Sequence, residues 1–114
     1  MNDLQAAVAR AADQAGSHST APALLLQAAA ALGKLAELTN TATDGGRRPF
    51  RIPSTWQPQL SELAYLVYLL ADQTTVDLDD TVRALAYQVS VDAADLRRRA
   101  ADLGEDSHWF ARPD

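Results

Sequence analysis

Apolar side chains recur every three or four residues along four stretches of this chain, which places them on one face of an α-helix. The pattern predicts helices over about residues 2–15, 20–40 and 57–73, and a fourth that begins near residue 78. The intervening residues 41–58 contain Asp-Gly-Gly and three prolines, which exclude a long helix there. We therefore expect an all-α fold of four helices packed as a bundle.

The second predicted helix has clear start signals. Thr20 is expected to cap its N-terminus, and Pro22 fits the first turn because its missing N–H would have no partner in the helix. The side chains expected to face the core repeat at helical spacing and are Leu25, Ala28, Ala29, Leu32, Leu35 and Ala36.

The third predicted helix is apolar nearly all round, a pattern typical of helices that are buried on several sides. One small chain offers little cover for so much apolar surface. We therefore expect a homo-oligomer, a dimer or a dimer of dimers, assembled through this helix. The expected interface consists of Tyr65, Leu66, Tyr68 and Leu69.

The fourth helix is expected to begin after Asp77, which is a good N-cap, and two further aspartates there suit the positive end of the helix dipole. The following stretch either continues this helix or restarts it at Ser90 or Asp92. Gly104 is expected to end it.

Length and composition predict one globular domain. The chain has 114 residues, of which 47% are hydrophobic and 22% charged. We divide it into an N-terminal helix and linker (1–19), a core (20–103) and a C-terminal tail (104–114). The tail either docks through Trp109 and Phe110 or is loose.

Charge and cysteine content narrow the function classes. The net charge is −5, whereas a protein that binds duplex nucleic acid usually presents a basic face. There is no cysteine, and His18 and His108 lie in loop-like stretches without metal-binding spacing. The N-terminus lacks a signal-peptide pattern, and the most apolar stretch (63–71) is shorter than the ~20 residues of a membrane span. We expect a cytoplasmic protein without membrane or duplex nucleic-acid partners.

Two helical stretches carry a more specific pattern: AALGKLAEL at residues 30–38, and SELAYLVYLLA at residues 61–71 followed by the acidic helix start VDLDDTVRALA. Over about residues 20–100 this pattern resembles the MazG-like all-α nucleotide pyrophosphohydrolases. That family carries Glu-Glu-x-x-Glu on one helix and Glu-x-x-Asp on the next. Such carboxylates converge to bind Mg²⁺, which neutralises the triphosphate and activates a water. The resemblance implies a MazG-like four-helix bundle and a nucleotide ligand.

The metal-binding acids of these motifs are largely replaced in this chain. Ala30, Ala31 and Lys34 stand in the places of the first motif's glutamates, Glu62 keeps the second motif's glutamate, and Tyr65 replaces its aspartate. One carboxylate holds Mg²⁺ poorly, and Lys34 would repel a cation at ~4 Å by about 4 kcal/mol at an effective dielectric near 20. We therefore expect a catalytically degenerate protein, a pseudoenzyme that binds a nucleotide or a protein and needs no metal or other cofactor.

Two alternatives stay open. The first is an active Mg²⁺-dependent nucleoside triphosphate pyrophosphatase with a rearranged site, using Glu37, Glu62 and Asp72 as ligands. The second is a helical protein-interaction module unrelated to nucleotides. Glu37 also has an ordinary role available, as an exposed helical partner of Lys34, and Glu62 could simply favour the start of its helix.

Basic side chains supply candidate phosphate contacts. If the two motif helices pack as the resemblance implies, Lys34 points into the groove between them, close to a partly buried Glu62. The candidate phosphate-binding residues are Lys34, Arg47, Arg48 and Arg51.

Overall fold

The structure is a computed structural model that describes residues 3–16 and 19–106, with side chains described as far as residue 103. This part of the chain is all-helical and contains no β-strand, so the predicted fold class of four helices is confirmed. The helices are α1 (Asp3–Ala15), α2 (Ala21–Ala42), α3 (Trp56–Gln73) and α4 (Leu78–Asp106).

Helix α2 begins where its sequence predicts. The Thr20 hydroxyl accepts a hydrogen bond from the backbone N–H of Ala23 at 3.4 Å, and a proline occupies the first turn. The cap satisfies a backbone donor that the helix itself leaves without a partner. Thr20 is therefore confirmed as the N-cap.

The connection from α2 to α3 is an ordered turn followed by an extended segment. Asp44, Gly45 and Gly46 all have positive φ angles (51°, 67° and 88°), a conformation that glycine adopts without steric cost. At its far end, the Phe50 and Trp56 rings meet edge to face with centroids 5.3 Å apart. This ring contact packs the end of the connection against the start of α3.

The chain divides into two compact units, Met1–Leu78 and Asp79–Asp114. In the first unit, α3 packs against both α1 and α2. The hydrophobic core lies between these three helices, and Leu24 is its most buried large side chain at 1% exposure. The core cluster comprises Val8, Ala12, Leu24, Ala28, Ala31, Leu66 and Leu69.

Helix α2 presents to the core a stripe that only partly matches the predicted one. Ala28 and Leu35 are buried as expected. The other four predicted core residues are exposed and are Leu25, Ala29, Leu32 and Ala36. The buried side chains lie at intervals of four, three and four residues and are Leu24, Ala28, Ala31 and Leu35. Apolar residues cover so much of α2 that two neighbouring stripes both have helical spacing. The period alone therefore could not identify the stripe that contacts α3.

The predicted interface on α3 is largely covered within the single chain. Leu66 and Leu69 are buried in the core, while Tyr65 and Tyr68 are half-buried and pack against it. The argument that this face needs a second copy is therefore wrong for the two leucines, because α1 and α2 flank α3 and supply their cover.

Gln5 is a polar side chain inside this mostly apolar unit, with 6% exposure. Its side-chain amide donates to the carbonyl oxygen of Val76 at 2.7 Å and accepts from the backbone N–H of Leu78 at 2.9 Å. Both groups of the amide are thus satisfied, as burial requires. Gln5 fastens α1 to the segment that follows α3.

Helix α4 is one continuous helix, so the alternative of a restart at residue 90 or 92 is excluded. The helix also passes through Gly104 and ends at Asp106, which makes the predicted end at Gly104 wrong. A glycine inside a helix costs about 1 kcal/mol relative to alanine but does not by itself end the helix. Trp109, Phe110 and both histidines lie outside the described residues.

One helix of the described chain, α2, is long and apolar enough to cross a membrane by length and composition alone. The sequence-based expectation rested on residues 63–71 and overlooked α2, whose apolar residues are spread over its 22 positions. Core helices of soluble proteins meet the same criterion, and four α2 side chains belong to the buried set.

Candidate functional site

The three α2 positions that resemble the first acidic motif point to different surroundings. Ala31 is buried in the hydrophobic core with 2% exposure, whereas Ala30 and Lys34 are exposed. Ala31 is part of the α2 stripe that packs into the core. A carboxylate at position 31 would therefore enter the apolar core, while carboxylates at positions 30 and 34 would face water.

The two α3 positions also differ in their surroundings. Glu62 is exposed, and its carboxylate accepts a hydrogen bond at 3.1 Å from the side-chain amide of Gln59, one turn earlier. Tyr65 is half-buried and packs against the core cluster. Glu62 is thus engaged within its own helix rather than across a groove.

The structure does not form the expected pair between Lys34 and Glu62. Both residues are exposed, no ion pair within 4.0 Å joins them, and Glu62 is not the partly buried carboxylate that the prediction required. Exposed charges remain hydrated, so a contact between them would gain little. The predicted burial of this pair is therefore corrected.

The candidate residual ligands are all on the surface. Glu37, Glu62 and Asp72 are exposed. Among the described side chains, residues 3–16 and 19–103, no three His, Cys, Asp or Glu come close enough to hold one metal ion. The site that the structure describes around these positions offers single carboxylates rather than a cluster.

Two of the candidate phosphate contacts come together. Arg48 and Arg51 line a surface cavity of about 370 Å³, next to Thr41 and Ala42 at the end of α2. Arginine guanidinium groups bind phosphate well. The C-terminal end of a helix, however, carries partial negative charge, which opposes an anion at this point. The cavity can attract a phosphate only if the positive charge of the two arginines exceeds the partial negative charge at the end of the helix.

Sequence reasoning overlooked the exposed apolar surface of α2 and α4. On α2, Leu25, Leu26 and Leu32 are each more than half exposed, and Leu26 reaches 72%. On α4 the large exposed side chains include Val82, Leu85, Tyr87, Val89, Leu96 and Leu103. The signal was present in the sequence, because four of the α4 residues recur every seven positions.

Comparison with protein-family models, with curated proteins and with solved structures found no match. The resemblance to MazG-like proteins therefore rests on the two helical motifs alone.

Proposed function

We propose that this chain is a non-catalytic binding protein with a MazG-like helical arrangement, and that it acts mainly by contacting another protein. The observation that carries the proposal is the setting of the acid positions. Ala31 is part of the core, Ala30 and Lys34 are exposed, and Tyr65 packs on the core. Only Glu62 supplies a carboxylate at these five positions, and a single carboxylate binds Mg²⁺ weakly.

Exposed apolar surface favours a protein partner over a small ligand. Large apolar side chains are exposed on both α2 and α4, and the three α2 leucines lie within eight residues of one another. Contiguous exposed apolar surface on a protein usually marks a contact with another protein or a membrane. The proposal includes a cytoplasmic location, a homo-oligomeric state, no duplex nucleic-acid or membrane partner, and no metal or cofactor.

Nucleotide binding is the second candidate function. It is favoured by the cavity that Arg48 and Arg51 line. Two guanidinium groups at one cavity can bind a phosphate chain without a metal ion, because both groups are always positively charged. This candidate predicts binding that does not depend on Mg²⁺.

Thermal unfolding with a panel of nucleoside mono-, di- and triphosphates, with and without Mg²⁺, separates these functions. The protein-binding proposal predicts no shift in melting temperature with any nucleotide. Stabilisation that is independent of Mg²⁺ and lost in Arg48→Gln/Arg51→Gln would support the nucleotide candidate. Arg10→Gln, at an exposed arginine on α1, serves as the control for the loss of a positive charge. Stabilisation that requires Mg²⁺ would contradict both and favour an active pyrophosphatase.

A further inference from the structure

Helix α4 carries a continuous stripe of apolar side chains in which large and small residues alternate. The intervals along the stripe are four and three residues in strict succession, over 22 residues or ~33 Å of helix. All seven members are exposed. The large members are Val82, Val89, Leu96 and Leu103, and the small members are Ala86, Ala93 and Ala100.

Apolar residues at alternating intervals of three and four are the pattern by which two helices pack along their whole length. The stripe differs from an ordinary core-facing surface because it keeps the seven-residue period for three full repeats. Its alanines let a second helix approach closely, and its leucines and valines fill the space between. The stripe is therefore built to contact another long helix.

We propose that the α4 stripe pairs in antiparallel orientation with the α4 stripe of a second copy of this chain. In that orientation each layer between Ala86 and Leu103 joins one alanine to one large residue, and Val82 lies beyond the last of these layers. Ala93 lies opposite Leu96 of the second copy, and Ala86 lies opposite its Leu103. Alternating large and small residues across an interface fills its layers evenly. A parallel pair would instead stack alanine on alanine in one layer and two large residues in the next.

The charges beside the stripe also suit an antiparallel pair. Asp92 and Arg99 each directly precede a stripe alanine, so both lie along the same edge of the stripe. In the antiparallel arrangement this edge faces itself, and Asp92 of each copy comes close to Arg99 of the other. Two-fold symmetry makes this favourable pair twice. Such pairs set orientation and register in paired helices.

This self-association rests on the proposed function, because it identifies the surface of the homo-oligomer that the function includes. It uses no residue of the acid-motif positions and none of the arginines at the α2 cavity. It also replaces α3 with α4 as the surface through which the chain assembles, because α3 already gives Leu66 and Leu69 to the core of its own chain.

Light scattering or sedimentation over a concentration series tests the pairing. The full chain is expected to show the mass of two copies at tens of micromolar. Leu96→Glu places two charges at the centre of the stripe pair and is expected to return the mass to one copy. Tyr87→Glu adds the same charge at a position that is 71% exposed on α4 and outside the stripe, and should leave the mass at two copies. A single-copy mass for the unaltered chain would overturn the proposal, as would equal effects of the two variants.

Disulfide trapping tests the orientation, and the absence of native cysteine removes any background. Ala93→Cys and Leu96→Cys proteins are mixed, oxidised and weighed by mass spectrometry. Random pairing of equal amounts would give twice as much mixed disulfide as either homodimer, so the antiparallel pair predicts a ratio well above two to one. A ratio of two to one, or a predominance of the Leu96→Cys homodimer as expected for parallel pairing, would overturn the proposed arrangement. Circular dichroism of each variant confirms that its helix content is retained.

Discussion

Gln5 is buried at the contact between α1 and the segment after α3, and both groups of its amide have backbone partners. A buried amide of this kind stabilises the fold mainly because its removal would take away the hydrogen bonds of the backbone groups it contacts. Gln5 is the first residue of the buried stripe of α1, which continues with Val8 and Ala12. Its burial could not be predicted from sequence, because helical spacing does not show that a polar side chain will find partners 71 and 73 residues away.

Replacing Gln5 with leucine is expected to lower the free energy of unfolding by about 1–3 kcal/mol. The change keeps the apolar contacts but removes the two hydrogen bonds that Gln5 makes with the carbonyl of Val76 and the N–H of Leu78. Urea denaturation provides the measurement. Gln14→Leu makes the same change at an exposed position of α1 and should alter stability by no more than ~0.5 kcal/mol. Equal stabilities of the two variants would show that the Gln5 hydrogen bonds contribute nothing.

Gly33 is a second residue whose replacement is expected to change the stability of the fold. It belongs to the stretch that resembles the first acidic motif. Apart from its chain neighbours and the nearby backbone of α2, no atom lies within 4 Å of the place where a Cβ would stand. Glycine in a helix interior is less stable than alanine by about 0.5–1 kcal/mol. Gly33→Ala is therefore expected to raise the free energy of unfolding by that amount, as measured by urea denaturation. A loss of stability would mean that something packs against this position.

At the scale of elements, α2 has one feature that the sequence predicts and one that it does not. Its start at Thr20 and Pro22 was predictable because capping chemistry is local. Its buried stripe was not, because Leu24 and Leu25 both fit a helical period and only the contact with α3 selects one of them. The same ambiguity affected the acid-motif positions. Sequence placed Ala30 and Ala31 in one site, and the structure places Ala31 in the core and Ala30 in water.

This difference predicts unequal effects of restoring an acid at the two alanines. Ala31→Glu would bury a carboxylate among apolar side chains and is expected to cost several kcal/mol, or to keep the carboxyl group protonated. Ala30→Glu, at the adjacent exposed position, should change stability by no more than ~0.5 kcal/mol. Urea denaturation at neutral pH compares the two variants directly. If position 31 accepts glutamate as readily as position 30, the orientation of α2 described above is incorrect.

At the scale of the whole molecule, the number and type of helices followed from the hydrophobic pattern and from the Asp-Gly-Gly and proline breaks. The surface through which copies of the chain assemble could not be predicted in this way. The hydrophobic pattern does not reveal that α3 packs against two other helices. The sequence therefore suggested that a second copy was needed to cover Tyr65, Leu66, Tyr68 and Leu69. The seven-residue period of α4 was visible in the sequence, but the period alone does not identify what the stripe contacts.

The proposed function depends on two features of the whole molecule, the positions of its carboxylates and its exposed apolar surface. Glu37, Glu62 and Asp72 are dispersed on the surface, whereas metal-assisted pyrophosphate release needs carboxylates that converge on one ion. Exposed apolar surface on α2 and α4 is the larger feature, and it favours contact with proteins. These observations support the proposal that the chain acts as a binding protein.

The most direct test of this claim is a pyrophosphate-release assay on the purified full chain, with common nucleoside triphosphates and either Mg²⁺ or Mn²⁺. The account predicts no turnover in the range of ordinary enzymes, roughly 1–10³ per second. Glu62→Gln, assayed in parallel, removes the one carboxylate retained at the motif positions and distinguishes activity of this chain from that of a contaminant. Metal-dependent release of pyrophosphate that disappears in Glu62→Gln would contradict the account.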